Sequence, residues 1–210
     1  MGIEERKNRE REEMRNLILK TAMKLFLDDG IENVSLRKIA DVIEYSPASI
    51  YSYFKDKGEI VYALHDEGFE KLYKMQTSLN DISNPLERLR QMGQIYMKFA
   101  LENRDYYDLM FIAKGIGDEI CNGKQWGAGL RSYDYLRNTI KECIEQEYFI
   151  EADVDAVTFV YWSLVHGMAS LIIKGRCSMM PDDIVNRIVS EGLSFIYKST
   201  NLKSPKSINK

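Results

Sequence analysis

The chain has 210 residues, of which 45% are hydrophobic and 29% charged, values ordinary for a soluble globular protein. The formal net charge is −3, and residues 1–60 carry eleven Lys and Arg against twelve Asp and Glu. This balance argues against a protein that coats nucleic acid non-specifically, because such proteins are usually basic. Any DNA contact must therefore come from a locally arranged face.

The compartment is predicted from the same composition. Three widely spaced cysteines fit neither a disulfide framework nor a CxxC metal site. No apolar run approaches the roughly 18–20 residues of a membrane span, and the charged N-terminus does not resemble a secretory signal. We therefore expect a cytoplasmic protein without a membrane partner.

The chain begins with a predicted helix over about residues 12–29, in which apolar residues recur at helical spacing. Residues 1–10 alternate in charge and are expected to fray or to form a solvated helix start, with a basic arm that reaches DNA as the alternative. Gly30 ends the helix. Ser35 is placed to cap a second helix, and Ser46 and Pro47 are the cap and first residue of a third.

The third helix has an unusual surface. Ile50 and Phe54 can face a core, whereas the other side chains are small or carry hydroxyls. Small residues permit close approach to a partner, and hydroxyls bond phosphates and base edges. This composition indicates a recognition helix in a major groove. The residues concerned are Ser46, Ala48, Ser49, Tyr51, Ser52 and Tyr53.

Periodicity after Lys57 predicts helices only. A connector helix runs to about Leu79, residues 80–84 break the chain, and residues 199–210 are expected to be disordered. No segment indicates a strand or a repeat, so the predicted fold class is all-α. The later helices are predicted over about residues 85–101, 106–114, 126–149, 154–173 and 182–197.

Residues 12–72 resemble the TetR-type helix-turn-helix domain of bacterial transcriptional regulators, with the motif at about 35–54. The stretches that carry the resemblance are SLRKIA at 35–40 and SIYSYFKDKGEI at 49–60. More loosely, WSLVHG at 162–167 is similar to one class of TetR C-terminal domain. The resemblance implies a three-helix DNA-binding domain joined by the connector helix to a helical domain over 80–198.

The resemblance also implies which residues contact DNA. Lys57 would meet a phosphate with its charge and with the dipole of the helix it begins. Two residues depart from the family pattern. Glu44 stands where the turn usually has glycine, which predicts a longer or differently shaped turn, and Pro47 replaces a residue that is often basic. The implied contacts are Arg37, Ser46, Pro47, Ala48, Ser49, Tyr51, Tyr53 and Lys57.

The second domain is expected to dimerise through its last two helices, 154–173 and 182–197, as in the family. A dimer also has a physical reason, because a two-fold pair reads two half-sites of a palindromic operator about 34 Å apart. A small apolar or aromatic effector is expected among aromatic side chains, although residues at this spacing are often simply core. The candidates are Tyr96, Tyr107, Phe111, Trp126, Tyr133, Trp162 and His166.

The predicted function is a dimeric repressor that a small effector releases from DNA. The alternative is an architectural protein that uses the same motif without an effector. Enzymatic activity is not expected, because no metal cluster, nucleophile–base pair or phosphate loop is present, and Glu142, Glu145 and Glu147 resemble an ordinary solvated helix face. We therefore predict no catalytic residue, no cofactor and no metal.

Overall fold

The structure is a computed structural model that describes residues 2–113 and 127–200, with side chains as far as residue 195. The described residues form helices and turns without a strand, which confirms the all-α prediction. The α-helices within these ranges are α1 (Ile3–Asp29), α2 (Leu36–Val42), α3 (Pro47–Tyr51), α4 (Lys57–Thr77), α5 (Pro85–Glu102), α6 (Arg104–Phe111), α7 (Gly127–Glu145), α8 (Val154–Ile173) and α9 (Asp182–Thr200).

The helices divide between two compact units. The first unit comprises Met1–Phe69 and Asp105–Gly127, and the second comprises Glu70–Arg104 and Ala128–Lys210, counting in each the residues that the structure describes. Helix α4 therefore contributes residues to both units, and α6 belongs mainly to the first.

The core of the first unit is built from α1, α2, α3, the beginning of α4 and one residue of α6. Ile18, Ala22 and Phe26 recur along one face of α1, which is why this face is buried. Leu109 of α6 is also completely buried in this cluster. The short helices contribute Leu36, Ile39, Ala40, Ile50 and Phe54, and α4 contributes Ile60, Val61 and Leu64.

The predicted helix caps are confirmed. Ser35 Oγ accepts a hydrogen bond of 3.2 Å from the amide of Lys38, and Ser46 Oγ accepts one of 3.2 Å from the amide of Ser49. Each bond satisfies a first-turn amide that has no partner within its own helix. Local residue chemistry thus sets where α2 and α3 begin.

Helix α1 begins at Ile3 with exposed residues, so this segment is the solvated helix start and the expectation of fraying was wrong. Apolar periodicity does not hold this first part of the helix. Arg6 pairs with Glu10 at 3.4 Å and Arg9 with Glu13 at 3.6 Å, both one turn apart. Such pairs stabilise a solvated helix by a few tenths of a kcal/mol each, about 0.2–0.5 kcal/mol in isolated helices.

Helix α7 ends at Glu145, four residues before the predicted end at Phe149. Glu147 has a φ of +59°, which takes the chain out of the helix, and the amide of Tyr148 donates to the Cys143 carbonyl at 2.9 Å. Phe149 is then buried against the ring of Tyr161, with centroids 5.8 Å apart. Helix α9 continues to Thr200, three residues beyond the predicted end.

In the second unit α5 packs against α8 and α9. Arg88 of α5 forms an ion pair with Glu142 of α7 and donates to the Ile82 carbonyl at 3.1 Å. Because Arg88 is largely buried, these partners compensate for the loss of hydration of its charge. The buried apolar residues include Leu89, Met92, Phe99, Ala100, Ile140, Val165, Ala169 and Leu193.

Helix α8 is long and apolar enough to cross a membrane by length and composition, with a mean hydropathy of 1.6. The sequence expectation concerned an unbroken apolar run, and Asp155 and His166 interrupt the apolar residues of α8. One such helix is weak evidence for a membrane span, because the core helix of a globular protein meets the same criterion. In the single chain α8 exposes large apolar residues, among them Phe159, Val160, Leu164 and Leu171.

Candidate nucleic-acid interface

The turn between α2 and α3 contains a glutamate in a conformation that usually requires glycine. Glu44 has a φ of +59°. The amide of Tyr45 donates to the Ala40 carbonyl at 3.0 Å, and the amide of Glu44 donates to the Asp41 carbonyl at 3.3 Å. The prediction that glutamate would lengthen or reshape the turn was wrong, because the residue adopts the left-handed conformation itself.

Helix α3 is anchored by buried side chains on one face and exposes small or hydroxyl-bearing residues on the other. Ile50 is fully buried, and Phe54 just beyond the helix is nearly so. Tyr51 is 55% exposed, and Ser46 and Ala48 are exposed too. A five-residue helix held by two core side chains is thus free to place its outer surface against another molecule.

The hydroxyls on this surface are not equivalent. Ser46 Oγ and Ser49 Oγ lie 2.9 Å apart in a hydrogen bond, and Ser52 Oγ donates to the Ser49 carbonyl at 2.6 Å. The phenol of Tyr51 forms no hydrogen bond within the described residues. Tyr51 therefore has the hydroxyl most available to a phosphate or a base edge.

Two cations from the predicted set lie beside α3. Arg37 on α2 is exposed. Lys57 begins α4, and its Nζ donates to the Ile31 carbonyl at 2.8 Å, so this ammonium already holds α4 to the turn that follows α1. Because an ammonium has three donors, Lys57 retains two for a phosphate.

Tyr53 is half-buried and packs against the first core. The guanidinium of Arg11 lies 6.0 Å from the centre of its ring. The aromatic ring thus belongs partly to the core, and its remaining surface faces α1.

Sequence reasoning missed two exposed residues next to the recognition helix. Val42 at the end of α2 is 56% exposed, and Tyr45 in the turn is 46% exposed. Single exposed apolar side chains are common on protein surfaces, so the sequence alone did not distinguish these two residues. Both residues lie directly before α3 in the chain, and no role for them was predicted from the sequence.

Four of the seven effector candidates lie together in the second unit. The Tyr96 hydroxyl and His166 Nδ1 are 3.1 Å apart in a hydrogen bond. The ring centre of Trp162 is 6.2 Å from His166 and 6.4 Å from Tyr133. Burial lowers the pKa of His166, which favours the neutral imidazole. The cluster therefore offers aromatic surface with a neutral hydrogen-bonding pair.

The other candidates lie elsewhere. Tyr107 and Phe111 belong to the first unit, where their ring centres are 5.3 Å apart, and Phe111 also meets Phe69 at 5.5 Å. Tyr107 is completely buried. Trp126 lies outside the described residues. Tyr107 thus fills a core position in this conformation.

The described residues offer neither a metal site nor a reactive thiol at Cys143. Within residues 2–113 and 127–200, no three His, Cys, Asp or Glu side chains lie together as metal ligands. Burial raises the pKa of the Cys143 thiol to about 12, which makes it unreactive at pH 7. Cys121 lies outside the described residues.

Comparison with known protein families matches both parts of the chain. Residues 18–64 match the family described as bacterial regulatory proteins, tetR family, and this range contains α2, α3 and the turn between them. Residues 89–194 match the family described as the tetracyclin repressor-like C-terminal domain.

Individual relatives agree with these matches. The chain is 24% identical over 185 residues to the HTH-type transcriptional regulator AcrR of Shigella flexneri, covering 80% of this chain and 77% of that protein. It is 35% identical over 93 residues to an HTH-type transcriptional regulator of Staphylococcus aureus, covering 44% of this chain and 50% of that one.

The fold is also found in solved structures. The TetR family transcriptional regulator PfmR of Thermus thermophilus superimposes with a TM-score of 0.64 at 21% identity, covering 90% of this chain and 96% of that chain. At this identity the likeness concerns the fold.

Proposed function

The chain belongs to the TetR family of DNA-binding transcriptional regulators, which are not enzymes, and we propose that it is a cytoplasmic, dimeric repressor released from a palindromic operator by a small apolar or aromatic effector. The observation that carries the DNA contact is α3, whose buried residues anchor it while Ser46, Ala48 and Tyr51 remain exposed. These residues, with Pro47, Ser49, Tyr53, Arg37 and Lys57, form the proposed DNA-binding surface.

The dimer is supported by the exposed apolar residues of the last two helices. Phe159, Leu164 and Leu171 on α8 and Ile188 and Phe195 on α9 are large, apolar and exposed in the single chain. Several large exposed apolar residues on two successive helices favour an interface there. A second copy of the chain would cover it and would present a second recognition helix to the other half-site.

The effector site is supported by the aromatic cluster of the second unit. Tyr133 and Trp162 provide flat apolar surface, while Tyr96 and His166 provide a polar pair that could orient an aromatic ligand. Tyr107 and Phe111 belong to the first unit and Trp126 lies outside the described residues, so their predicted effector contacts stay predictions. Helix α4 has residues in both units, so an effector that displaces it would alter the placement of α3.

Operator binding by the Tyr51→Phe variant tests the DNA contact. The operator is first selected by the full chain from a random duplex library. Tyr51 makes no hydrogen bond within the described residues, so loss of its hydroxyl should weaken binding by about 1 kcal/mol, roughly fivefold, without changing stability. Tyr148→Phe, after α7 and outside the effector cluster, is the matched control and should bind the operator normally. Equal operator affinities for the two variants would show that the Tyr51 hydroxyl does not contact DNA.

Trp162 provides the readout for the effector. Apolar and aromatic compounds that change tryptophan fluorescence are added to the protein–operator complex, and DNA affinity is measured again. A coupling of about 1–3 kcal/mol predicts a roughly 5–150-fold loss of affinity. If compounds bind near Trp162 and operator affinity stays constant, effector release is wrong while DNA binding stands.

A further inference from the structure

We propose that a groove between the beginning of α1 and the end of α3 binds backbone phosphates of the DNA that flanks the bases read by α3. This inference rests on the proposed operator binding and extends the DNA contact beyond the helix-turn-helix. The groove has a volume of about 540 Å³ and lies within the first unit. It is lined by Lys7, Glu10, Arg11, Met14, Ser52 and Tyr53.

The α1 side of the groove carries an excess of positive charge. Lys7, Arg11 and Met14 follow one another at spacings of four and three residues and so share one helix face. Within the described residues neither Lys7 nor Arg11 forms an ion pair. Glu10 also lines the groove, but Arg6 lies 3.4 Å from its carboxylate and offsets its charge.

Two stacking contacts hold α1 beside the end of α3. The Arg11 guanidinium lies 6.0 Å from the ring centre of Tyr53, and the Arg15 guanidinium lies 5.4 Å from that of Phe54. Cation–π contacts of this kind leave the edge of a guanidinium free to donate hydrogen bonds. Arg11 is thus positioned against the groove and still has donors for an anion.

The position of the groove next to α3 indicates that its anion is a phosphate of the DNA backbone. Ser52 and Tyr53 directly follow α3, so a duplex whose bases contact α3 has its sugar–phosphate backbone close to these two residues. The Ser52 hydroxyl already donates to the Ser49 carbonyl, which leaves Lys7, Arg11 and the Tyr53 phenol as the donors to phosphate. In a chain of net charge −3, such a local cationic groove compensates for the absence of a generally basic surface.

Salt dependence distinguishes a phosphate contact from a general loss of affinity. The double variant Lys7→Gln/Arg11→Gln is compared with Lys20→Gln/Lys24→Gln, which removes two exposed positive charges from the same helix outside the groove. Both variants should keep the helical content of the wild type. Each lost phosphate contact should reduce the slope of log K against log salt by about 0.9. The groove variant loses two contacts in each protomer of a dimer, so its slope should be smaller in magnitude by about 3.6. The slope of the control variant should change much less.

Trimming the selected operator provides the second measurement. Removing base pairs outside the half-sites should weaken wild-type binding, whereas the groove variant should tolerate the shorter duplex. Equal salt slopes for the two double variants, or wild-type binding that is indifferent to trimming, would overturn the groove proposal while leaving the operator proposal intact. If the full chain selects no duplex at all, the proposed function fails and the groove proposal fails with it.

Discussion

At the scale of single residues, Glu44 occupies a backbone conformation in which a side chain is costly. A left-handed conformation costs an L residue about 1–2 kcal/mol, and glycine avoids this cost but loses about 0.5–1 kcal/mol through its greater freedom in the unfolded chain. We expect Glu44→Gly to raise the free energy of unfolding by about 0.5–1 kcal/mol, measured by chemical denaturation.

The matched control is Asp41→Gly in the preceding helix. Asp41 is exposed in α2, where a glycine costs about 0.1–0.3 kcal/mol relative to aspartate. The two substitutions should therefore change stability in opposite directions. A loss of stability in both would show that the Glu44 side chain compensates for its own strain.

His65 is a buried group whose titration should be visible in stability. It is nearly inaccessible on α4, with its ring centre 4.8 Å from that of Phe69. Burial lowers its pKa to about 4, against the smaller opposing effect of Asp66. The unfolded chain therefore takes up this proton below pH 6.5 while the folded chain does not until about pH 4.

The contribution of His65 should thus be complete above pH 6.5 and decline as the pH falls from 6.5 to 4. Lowering the pH from 7 to 5 should reduce the free energy of unfolding of the wild type by about 2 kcal/mol more than that of His65→Gln. Identical pH dependence would contradict the buried neutral histidine. Since the chain has two histidines, proton NMR can also follow each imidazole directly.

At the scale of helices, α4 and α6 approach closely at Gly68. A Cβ at this position would lie 2.4 Å from Met110 Sδ and 3.1 Å from a ring carbon of Tyr106. Tyr106 also donates to Glu67 at 2.6 Å, so the same short segment of α4 is held to α6 by packing and by a hydrogen bond. A side chain at position 68 would have to displace one of these contacts.

Gly68→Ala should therefore destabilise the first unit by about 1–3 kcal/mol, although alanine is the better helix former. Combining it with Met110→Ala makes room for the new methyl group, so the double variant should be more stable than the sum of the single effects. Additive effects in thermal or chemical unfolding would show that α4 and α6 can separate without cost.

Helix content was predictable from the sequence because its signals are local. Apolar spacing and the caps Ser35 and Ser46 set α2 and α3 before any tertiary contact is known. Three features were not predictable on this basis. Ion pairs extend α1 to Ile3, Glu44 accepts a costly conformation within the surrounding turn, and Leu109 is buried with residues more than 40 positions away in sequence. The ion pairs of α1 and the turn at Glu44 are local but leave no mark in the apolar periodicity, whereas the burial of Leu109 depends on residues distant in sequence.

At the scale of the whole molecule, the proposed dimer should depend on the apolar residues of α8 and α9. Phe159 is 60% exposed and Phe195 is 70% exposed in the single chain. Placing a charge at Phe159 would bury it in the proposed interface, so Phe159→Lys should convert the dimer to a monomer in sedimentation velocity. Operator affinity should fall with it, because one recognition helix reads only one half-site.

Ile150 offers a matched control for this experiment. It is 73% exposed but lies between α7 and α8, outside both helices. Ile150→Lys makes the same change of charge on an exposed apolar residue and should leave the dimer unchanged. If Phe159→Lys and Ile150→Lys sediment alike, the α8–α9 surface is not the interface.

The burial of Leu109 affects any attempt to build chimeric sensors from this chain. A transplant that joins residues 12–72 to a foreign effector domain would leave behind α6, and with it a side chain that completes the first core. The empty space left by one leucine typically costs about 2–5 kcal/mol, enough to unfold many small domains. A functional exchange should therefore carry α6 with the DNA-binding helices, so the transferable module consists of two separated stretches of sequence.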